Sequence, residues 1–311
     1  MVRVVVAGGT GPVAQEVVAA LVDSGKHEVV TFTRSDVPKH ARPSVKFVVV
    51  DYDNKTNLAK NLEAVHSVLC FISSFDVQIR LIDACIEAGV KRFAPNEWAA
   101  RSNSGIFTFK EKDRVYEYLQ EVNRKNKRLE YCLFQPGNFM NYLSSPIPST
   151  TYTPIFTNQW GINNRRAIIP AGEDYRVTLT TVQDMAKVVT EALGYQDTWP
   201  EIGGITGSFI SNSELIKLVE SIRGPFKTET VSRENLEAGR LKTSWIPMLP
   251  RHPDMQVDSN WGIFSEYVIA ELILGGLKGA WEVSNEWNQL LPHLKLTPVG
   301  GFLSKVWKDE P

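Results

Sequence analysis

The first fourteen residues constrain this chain most. Val2 to Ala7 are β-formers interrupted only by Arg3, they run directly into Gly8-Gly9-Thr10-Gly11-Pro12-Val13-Ala14, and Gln15 to Leu21 reads as a helix. Strand, glycine turn and helix in that order is the setting in which a glycine motif binds a dinucleotide. Gly8 permits the tight turn, Gly11 lets the main chain approach a pyrophosphate, and small Ala14 lets the helix pack on the strand. The free N–H groups and positive dipole end of the helix then face the phosphates. Gly8, Thr10, Gly11, Pro12 and Val13 are the expected phosphate cradle.

The second strand, Glu28 to Phe32, ends in Thr33-Arg34-Ser35. An NAD site usually places a carboxylate here to hold both ribose hydroxyls, whereas an arginine pairs with the 2′-phosphate of NADP. The carboxylate is missing, and Arg34 stands with Ser35 and Lys39 nearby. A guanidinium suits phosphate because its donors form a planar fork. The expected cofactor is NADPH; the competing reading is a solvated loop arginine.

Strand and helix alternate onward from Arg34. Val45–Val50 is strand, Asn57–Val65 helix, His66–Ile72 strand, Val77–Ala88 amphipathic helix capped by Gly89, Lys91–Ala94 strand, and Leu129–Gln135 a sixth strand. Such alternation predicts an α/β fold: a Rossmann, doubly wound parallel sheet with helices on both faces. Ligands in such sheets sit at the carboxyl ends of the strands. That singles out Asp51 and Tyr52, Ile72, Ser73 and Ser74, Pro95-Asn96-Glu97-Trp98, and Pro136-Gly137-Asn138 with Phe139. From these, Asp51, Tyr52, Ile72, Ser73, Asn96, Pro136, Asn138 and Phe139 are expected to line the cofactor. Asp51 fits two roles equally: acceptor for an adenine amino group, or cap of the following turn.

The Tyr-x-x-x-Lys pair of short-chain dehydrogenases is absent from its expected place. Tyr116 and Tyr118 are followed four residues later by Gln120 and Val122, and four residues before Lys112 stands Thr108. Lys112 itself stands out by spacing. Phe109, Val115, Tyr116 and Leu119 lie three, four or seven residues away and share its helix face, whereas Lys110 aligns with Arg114, Glu117 and Glu121. A lysine in an apolar stripe has its charged form penalised and becomes a usable acid or base. The residues alone leave open that it snorkels from the stripe edge into water.

Composition narrows the class. A chain of 311 residues with 43% hydrophobic residues is long enough for one large domain plus a smaller lobe. Lys and Arg total 34 against 35 Asp and Glu, so a net charge of −1 gives no nucleic-acid surface. Cys70, Cys85 and Cys132 lie far apart in apolar segments and read as buried free thiols of a reducing compartment, not as a disulfide frame or metal site. A strand beginning at residue 2 leaves no room for a leader, and Tyr267–Leu277, which contains Glu271, is too short for a bilayer, so no membrane partner and a cytoplasmic location are expected.

With these residues in view, the chain resembles the NmrA-like and isoflavone-reductase-like group of atypical short-chain dehydrogenases, over nearly its whole length. The Gly8 motif, Arg34, Val90-Lys91-Arg92-Phe93-Ala94-Pro95-Asn96-Glu97-Trp98, Lys112 with Val115, and Gln135-Pro136-Gly137-Asn138-Phe139 come in the family's order and spacing. Thr178 to Ala186 looks like its later strand into helix, Ser211–Glu220 like a further helix, and Leu291–Leu303 like its closing segment. The Pro-Asn-Glu-Trp version is similar to fungal members; plant enzymes more often carry Pro-Ser-Glu-Phe. The resemblance implies that Lys112 is the acid–base residue, as a lysine there is in plant members that reduce phenylpropanoid ethers, lignans and isoflavones. It implies hydride transfer from NADPH to an electron-poor carbon of an enone, quinone methide or carbonyl, with Lys112 moving the balancing proton. It also leaves two other roles open: a non-catalytic NmrA-type regulator that senses NAD(P) and binds a protein partner, and a redox-neutral isomerase. In the plant motif Ala and then two basic residues follow the lysine; here Asp113 follows, with Tyr116 and Glu117 further on. Asp113 either pairs with Lys112 or faces water.

From about Phe139 the alternation fades. Ser144–Pro148, Tyr152–Pro154 and Gly224–Pro253 are loop-like, and Ser259–Leu274 reads as an apolar helix ending at Gly275-Gly276. The expected division is residues 1–150 as the nucleotide-binding domain, with sheet additions from about 175–210, and residues 151–311 as mainly a substrate lobe. Aromatic residues there suit a flat, partly apolar small molecule. Trp98, Phe139, Asn141, Trp160 and Trp261 are the expected substrate contacts. His252 reads either as a second proton donor or as a surface histidine. No coiled-coil pattern or repeat is visible, and a monomer or weak homodimer is expected.

Overall fold

The computed structural model describes residues 1–34, 44–251 and 260–308. Its frame is a six-stranded parallel sheet in the order β3-β2-β1-β4-β5-β6. The strands are β1 (Arg3–Ala7), β2 (Glu28–Thr33), β3 (Lys46–Val49), β4 (Ser67–Cys70), β5 (Arg92–Ala94) and β6 (Glu130–Tyr131). The helices between them are α1 (Pro12–Ser24), α2 (Lys55–Asn61), α3 (Phe75–Glu87) and α4 (Lys110–Asn123). Period two decides which residue serves which face. Val4 and Val6 pack with Val17 and Leu21 of α1, while Val5 and Ala7 pack with Leu58, Leu81, Ile82 and Leu119 of α2, α3 and α4. Both faces are covered, which is why β1 reads as an unbroken apolar run. Strand order reverses between β1 and β4, the switch point at which open α/β sheets hold ligands.

Beyond Tyr131 the chain follows a less regular path through β7 (Leu133–Gln135), β8 (Asn138–Phe139), β9 (Trp160–Gly161), β10 (Arg166–Pro170), β11 (Arg176–Thr180), α5 (Val182–Leu193), β12 (Ile202–Gly204), β13 (Ser208–Ser211), α6 (Asn212–Arg223) and β14 (Lys227–Val231). It ends in α7 (Arg233–Glu237), α8 (Trp261–Leu277), α9 (Glu286–Leu290) and α10 (Val299–Trp307). The helix α5 returns to lie beside α1, and β12 returns to pair in parallel with β7. A third apolar core joins α6, α8 and α10 to β10 and β11. Among the described residues no helix is long and apolar enough to cross a membrane.

Three sequence expectations change here. Gly224–Pro253 is not all loop, since it holds β14, paired in parallel with β10, and α7. The sixth strand is not continuous from Leu129 to Gln135: Cys132 N–H still donates to Phe93 O at 3.1 Å, but Leu133 N–H donates to Glu201 O at 2.8 Å, so the strand swings from β5 to β12. And α8 does not stop at Gly275-Gly276 but runs through both. A Cβ at Gly275 would lie 2.8 Å from Ile106, and one at Gly276 2.6 Å from the Tyr175 ring, so these glycines are notches for close packing rather than a stop signal. Ser259, Ser35, Lys39 and His252 lie outside the described residues.

Candidate active-site cleft

The turn after β1 forms a cradle. Gly8 sits at φ +72°, where a side chain is strained, and its carbonyl accepts Gly11 N–H at 3.0 Å. Gly11 is the N-cap of α1 without a side-chain cap, and Pro12 opens the helix without an N–H. The first-turn N–H groups of Val13 and Ala14 are therefore donors that the helix itself does not use. Beside this turn, the buried Tyr52 hydroxyl lies near the Gly8 amide, which bonds Phe32 O instead, and has no hydrogen-bond partner of its own. Burial pushes its pKa up, and the nearby Gly8 amide and then the charge of Arg34 pull it back. Arg34 is exposed at the end of β2. A tight turn, unspent helix donors, an orphaned hydroxyl and an exposed guanidinium fit a phosphorylated dinucleotide.

Across the switch point the cradle continues into a cavity of about 250 Å³ lined by Gly11, Pro12, Val13, Ala14, Phe71, Ser73, Asn96, Trp98 and Lys112. Its far wall is the corner that follows β5. Asn96 N–H donates to the side chain of buried Gln78 on α3 at 3.0 Å. Trp98 adopts φ +33°, a strained region for an aromatic residue, and is held there from three sides. Its indole N–H donates to Cys70 O at 2.8 Å, and its ring stacks on Phe71 at 4.4 Å and on Phe134 at 5.6 Å. A second tryptophan, Trp287, extends the stack on Phe134.

Lys112 arrives on the first turn of α4. Glu111 and Asp113 favour that helix start, and Val115 and Leu119 bury the side facing the sheet. The entry to the helix is fixed from α8, where the Glu271 carboxylate accepts the N–H groups of Phe107 and Thr108. Lys112 Nζ donates to the main-chain carbonyl of Glu97 and lies 4.4 Å from the Phe109 ring. Burial pulls its pKa below the usual lysine range, against the opposing charges of Glu97 and Asp113. Asp113 does not pair with it directly; its carboxylate accepts Asn103 N–H at 2.6 Å.

Of the residues expected from the sequence, Gly11, Pro12, Val13, Ser73, Asn96, Trp98 and Lys112 meet in one cavity. Ile72 packs directly against Gly8, and Thr10 lies in the same turn, where its carbonyl accepts the Gln15 side chain. Asp51 is exposed and caps the following turn, accepting Asp53 N–H at 2.9 Å through one carboxylate oxygen. Pro136, Asn138 and Phe139 do not line the cavity: Asn138 and Phe139 are buried in β8 beside β11, and Phe139 packs toward Tyr142. Three of the expected substrate contacts, Trp160, Asn141 and Trp261, lie outside this cavity with their polar atoms engaged inside the fold. Trp160 is a core residue whose indole donates to Asn212 at 2.6 Å. Asn141 is buried and fully engaged, donating to Ser149 and Gln183 and accepting Val182 N–H at the start of α5. Trp261 spends its indole N–H on Leu249 O and its ring on Phe264. The three cysteines are free and buried.

Sequence reasoning missed two carboxylates. Glu97 stood in the strand-end set without a role, and in the structure it is 1% exposed behind Lys112. Glu16, on the first turns of α1, sends one carboxylate oxygen to the N–H groups of Thr151, Tyr152 and Thr153 at 2.9, 2.7 and 3.1 Å. Its signal was an acid directly before the apolar run Val17–Val22 of α1.

The sequence profile of the NmrA-like family matches residues 2–284. Oxidoreductase swnN of Metarhizium robertsii is 25% identical over 338 residues, covering 99% of this chain and 98% of that one. Among solved structures, AtPrR2 with NADP+ and (+)pinoresinol superposes with a TM-score of 0.71 at 18% identity, covering 98% of each chain. The NADPH-dependent quinone oxidoreductase QOR2 of Escherichia coli, complexed with NADPH, does so with a TM-score of 0.70 at 18% identity, covering 97% of this chain and 99% of that one. At such identities the two structures speak for the fold.

Proposed function

This chain belongs to the NmrA-like family, and from that premise we propose that it is an NADPH-dependent reductase of an aromatic or polyketide-like small molecule, with Lys112 as its acid–base residue. The observation that carries the reading is the shared cavity: Lys112 lines the same 250 Å³ space as the N-terminus of α1 and the Trp98 ring. The name of the Metarhizium relative, an oxidoreductase, and the nicotinamide cofactors named with the two solved structures support it.

When bound, the nicotinamide supplies a hydride. The chain's own residues do the rest. Val13 and Ala14 N–H groups and the α1 dipole bind the pyrophosphate, and Arg34 binds the 2′-phosphate. Phe71 and Trp98 form an apolar wall that excludes water and suits a planar ring. Lys112, held at its tip by Glu97 O, delivers one proton to the oxygen or carbon that gains charge as the hydride arrives, and is left as a neutral amine to be reprotonated from solvent.

Turnover of Lys112→Ala tests this. NADPH oxidation with enone and quinone-type substrates is expected to fall by about 10²–10⁴-fold, while NADPH still quenches the fluorescence of the eight tryptophans. Unchanged turnover would remove Lys112 from the chemistry. A wild-type protein that binds NADPH, oxidises none with any such substrate and captures a stoichiometric protein partner would move the reading to a nucleotide-sensing regulator.

A further inference from the structure

The corner after β5 holds a carboxyl that the cleft itself does not touch. Glu97 is almost completely buried, its Oε2 accepts the Ser102 hydroxyl at 3.2 Å, and its Oε1 has no partner. Ser102 is in turn held by the Gln135 side chain at 2.9 Å, from the end of β7. A buried carboxylate whose side-chain donors are Ser102 and the nearby Gln135 amide is costly unless an opposite charge stands near. The titratable groups that act on it are Lys112 and Asp113, and it acts on Tyr116 one turn further along α4. Lys112 is the cation among them.

The geometry of that neighbour is unusual. Lys112 Nζ is tied to the main-chain carbonyl of Glu97 and not to its carboxylate, so the ammonium is fixed at one point and the carboxylate stands behind it as a counter-charge. The strained backbone at Trp98, locked by its ring stack, fixes both the carbonyl and the carboxyl of the preceding residue. The arrangement leaves the cavity side of the ammonium free of a carboxylate.

We propose that Glu97 is the positioning partner of Lys112: its buried carboxylate, steadied by Ser102 and Gln135, keeps the lysine an ammonium until a proton is needed in the cleft. The inference rests on the reading of Lys112 as the acid–base residue. The charge balance supports it. Burial pushes Lys112 down and pushes Glu97 up, to about 7, and the two opposite charges push each other back. Two such groups titrate as a pair. Without the Glu97 charge, half-buried Asp113 is the one carboxylate left to favour the charged lysine, beside the main-chain carbonyl and the Phe109 ring.

Competitive acylation of the protein with acetic anhydride across pH 6–11, with the Lys112 peptide quantified by mass spectrometry, reads the neutral amine directly and needs no turnover. Glu97→Gln keeps the shape and the acceptor for Ser102 and removes the charge. The Lys112 midpoint is expected to fall by about one pH unit or more, a roughly tenfold gain in neutral amine at pH below both midpoints. The alkaline limb of the pH profile of NADPH oxidation is expected to move the same way. Ser102→Ala, at a half-buried position, removes a bond that favours the charged carboxyl and is expected to give a smaller shift of the same sign. Glu97→Asp is expected to return the midpoint toward that of the wild type. An unchanged midpoint in Glu97→Gln, or in Ser102→Ala should Glu97→Gln not fold, overturns the pairing. A shifted midpoint together with undiminished turnover in Lys112→Ala leaves the pairing intact and overturns the role assigned to the lysine.

Discussion

In the proposed reading, the choice between two dinucleotides rests on one side chain, Arg34. It is exposed at the end of β2, close enough to the buried Tyr52 hydroxyl for its charge to act there. A charge-assisted hydrogen bond is worth about 1.5–3 kcal/mol. Arg34→Ala is therefore expected to weaken NADPH binding by about 10–100-fold and leave NADH binding unchanged, as read by tryptophan quenching with each nucleotide. Equal losses for both would mean that Arg34 reads the fold and not the phosphate. Helical spacing put Lys112 on one face with Phe109, Val115 and Leu119 but left open whether it reached water; the structure lines the cavity with it. Glu97 was not legible in the chain, because its burial depends on a positive φ at Trp98 and on contacts to Ser102 and Gln135 that no periodicity encodes. Trp160, Asn141 and Trp261 show the converse: an aromatic or amide residue beyond a strand end carries no mark of which way it faces.

The first two strands were read to within a residue, since strand and turn each carry their own local signal, but the helix between them runs three residues further at each end than Gln15–Leu21, and α8 shows where local signals mislead. A pair of glycines is ordinarily a stop, yet α8 continues through them because Gly275 faces Ile106 and Gly276 faces the Tyr175 ring. Alanine in a helix interior gains about 1 kcal/mol over glycine from propensity. At Gly276 that gain meets ring atoms at 2.6, 2.7 and 2.9 Å, and a fully buried ring has little room to retreat. Overpacking costs about 1–3 kcal/mol, so Gly276→Ala is expected to be destabilising by up to about 2 kcal/mol net. Urea denaturation followed by tryptophan fluorescence checks the sign; a stabilised variant would show that the notch is slack. The same helix supplies Glu271 to the entry of α4, so a disturbance of α8 reaches Lys112 through one carboxylate.

For the whole molecule, the order of strands and helices up to β6 was legible from alternation, while the later return to the sheet was expected only as additions from about 175–210 and not as β12 on β7 and α5 beside α1, since pairings between distant segments leave no trace in either one. The finished sheet also separates opposing titrations at its two ends. His27 and His66 precede β2 and β4 at the amino end, and burial pulls both below the usual histidine range. Glu97 lies at the carboxyl end, and burial pushes it up to about 7. The signs follow from which state binds the proton. For the histidines the unfolded chain takes protons that the fold refuses, so stability present above their ordinary pKa is lost as pH falls through it. For Glu97 the fold takes a proton that the unfolded chain refuses, so stability is gained as pH falls from about 7 toward the ordinary glutamate value of 4.5. The two effects oppose each other over much of the same window. Glu97→Gln removes the gain and keeps the loss, and any further drop in the Lys112 pKa adds to that loss. The variant's melting temperature relative to wild type is therefore expected to be more favourable at pH 8 than at pH 5. The difference should amount to about 3 kcal/mol, or on the order of 5 °C for a chain of this size. Differential scanning fluorimetry of both proteins from pH 5 to 8 measures it. Parallel curves would mean that Glu97 ionises in the folded chain as it does in the unfolded one, and that the corner after β5 does not hold its carboxyl against water.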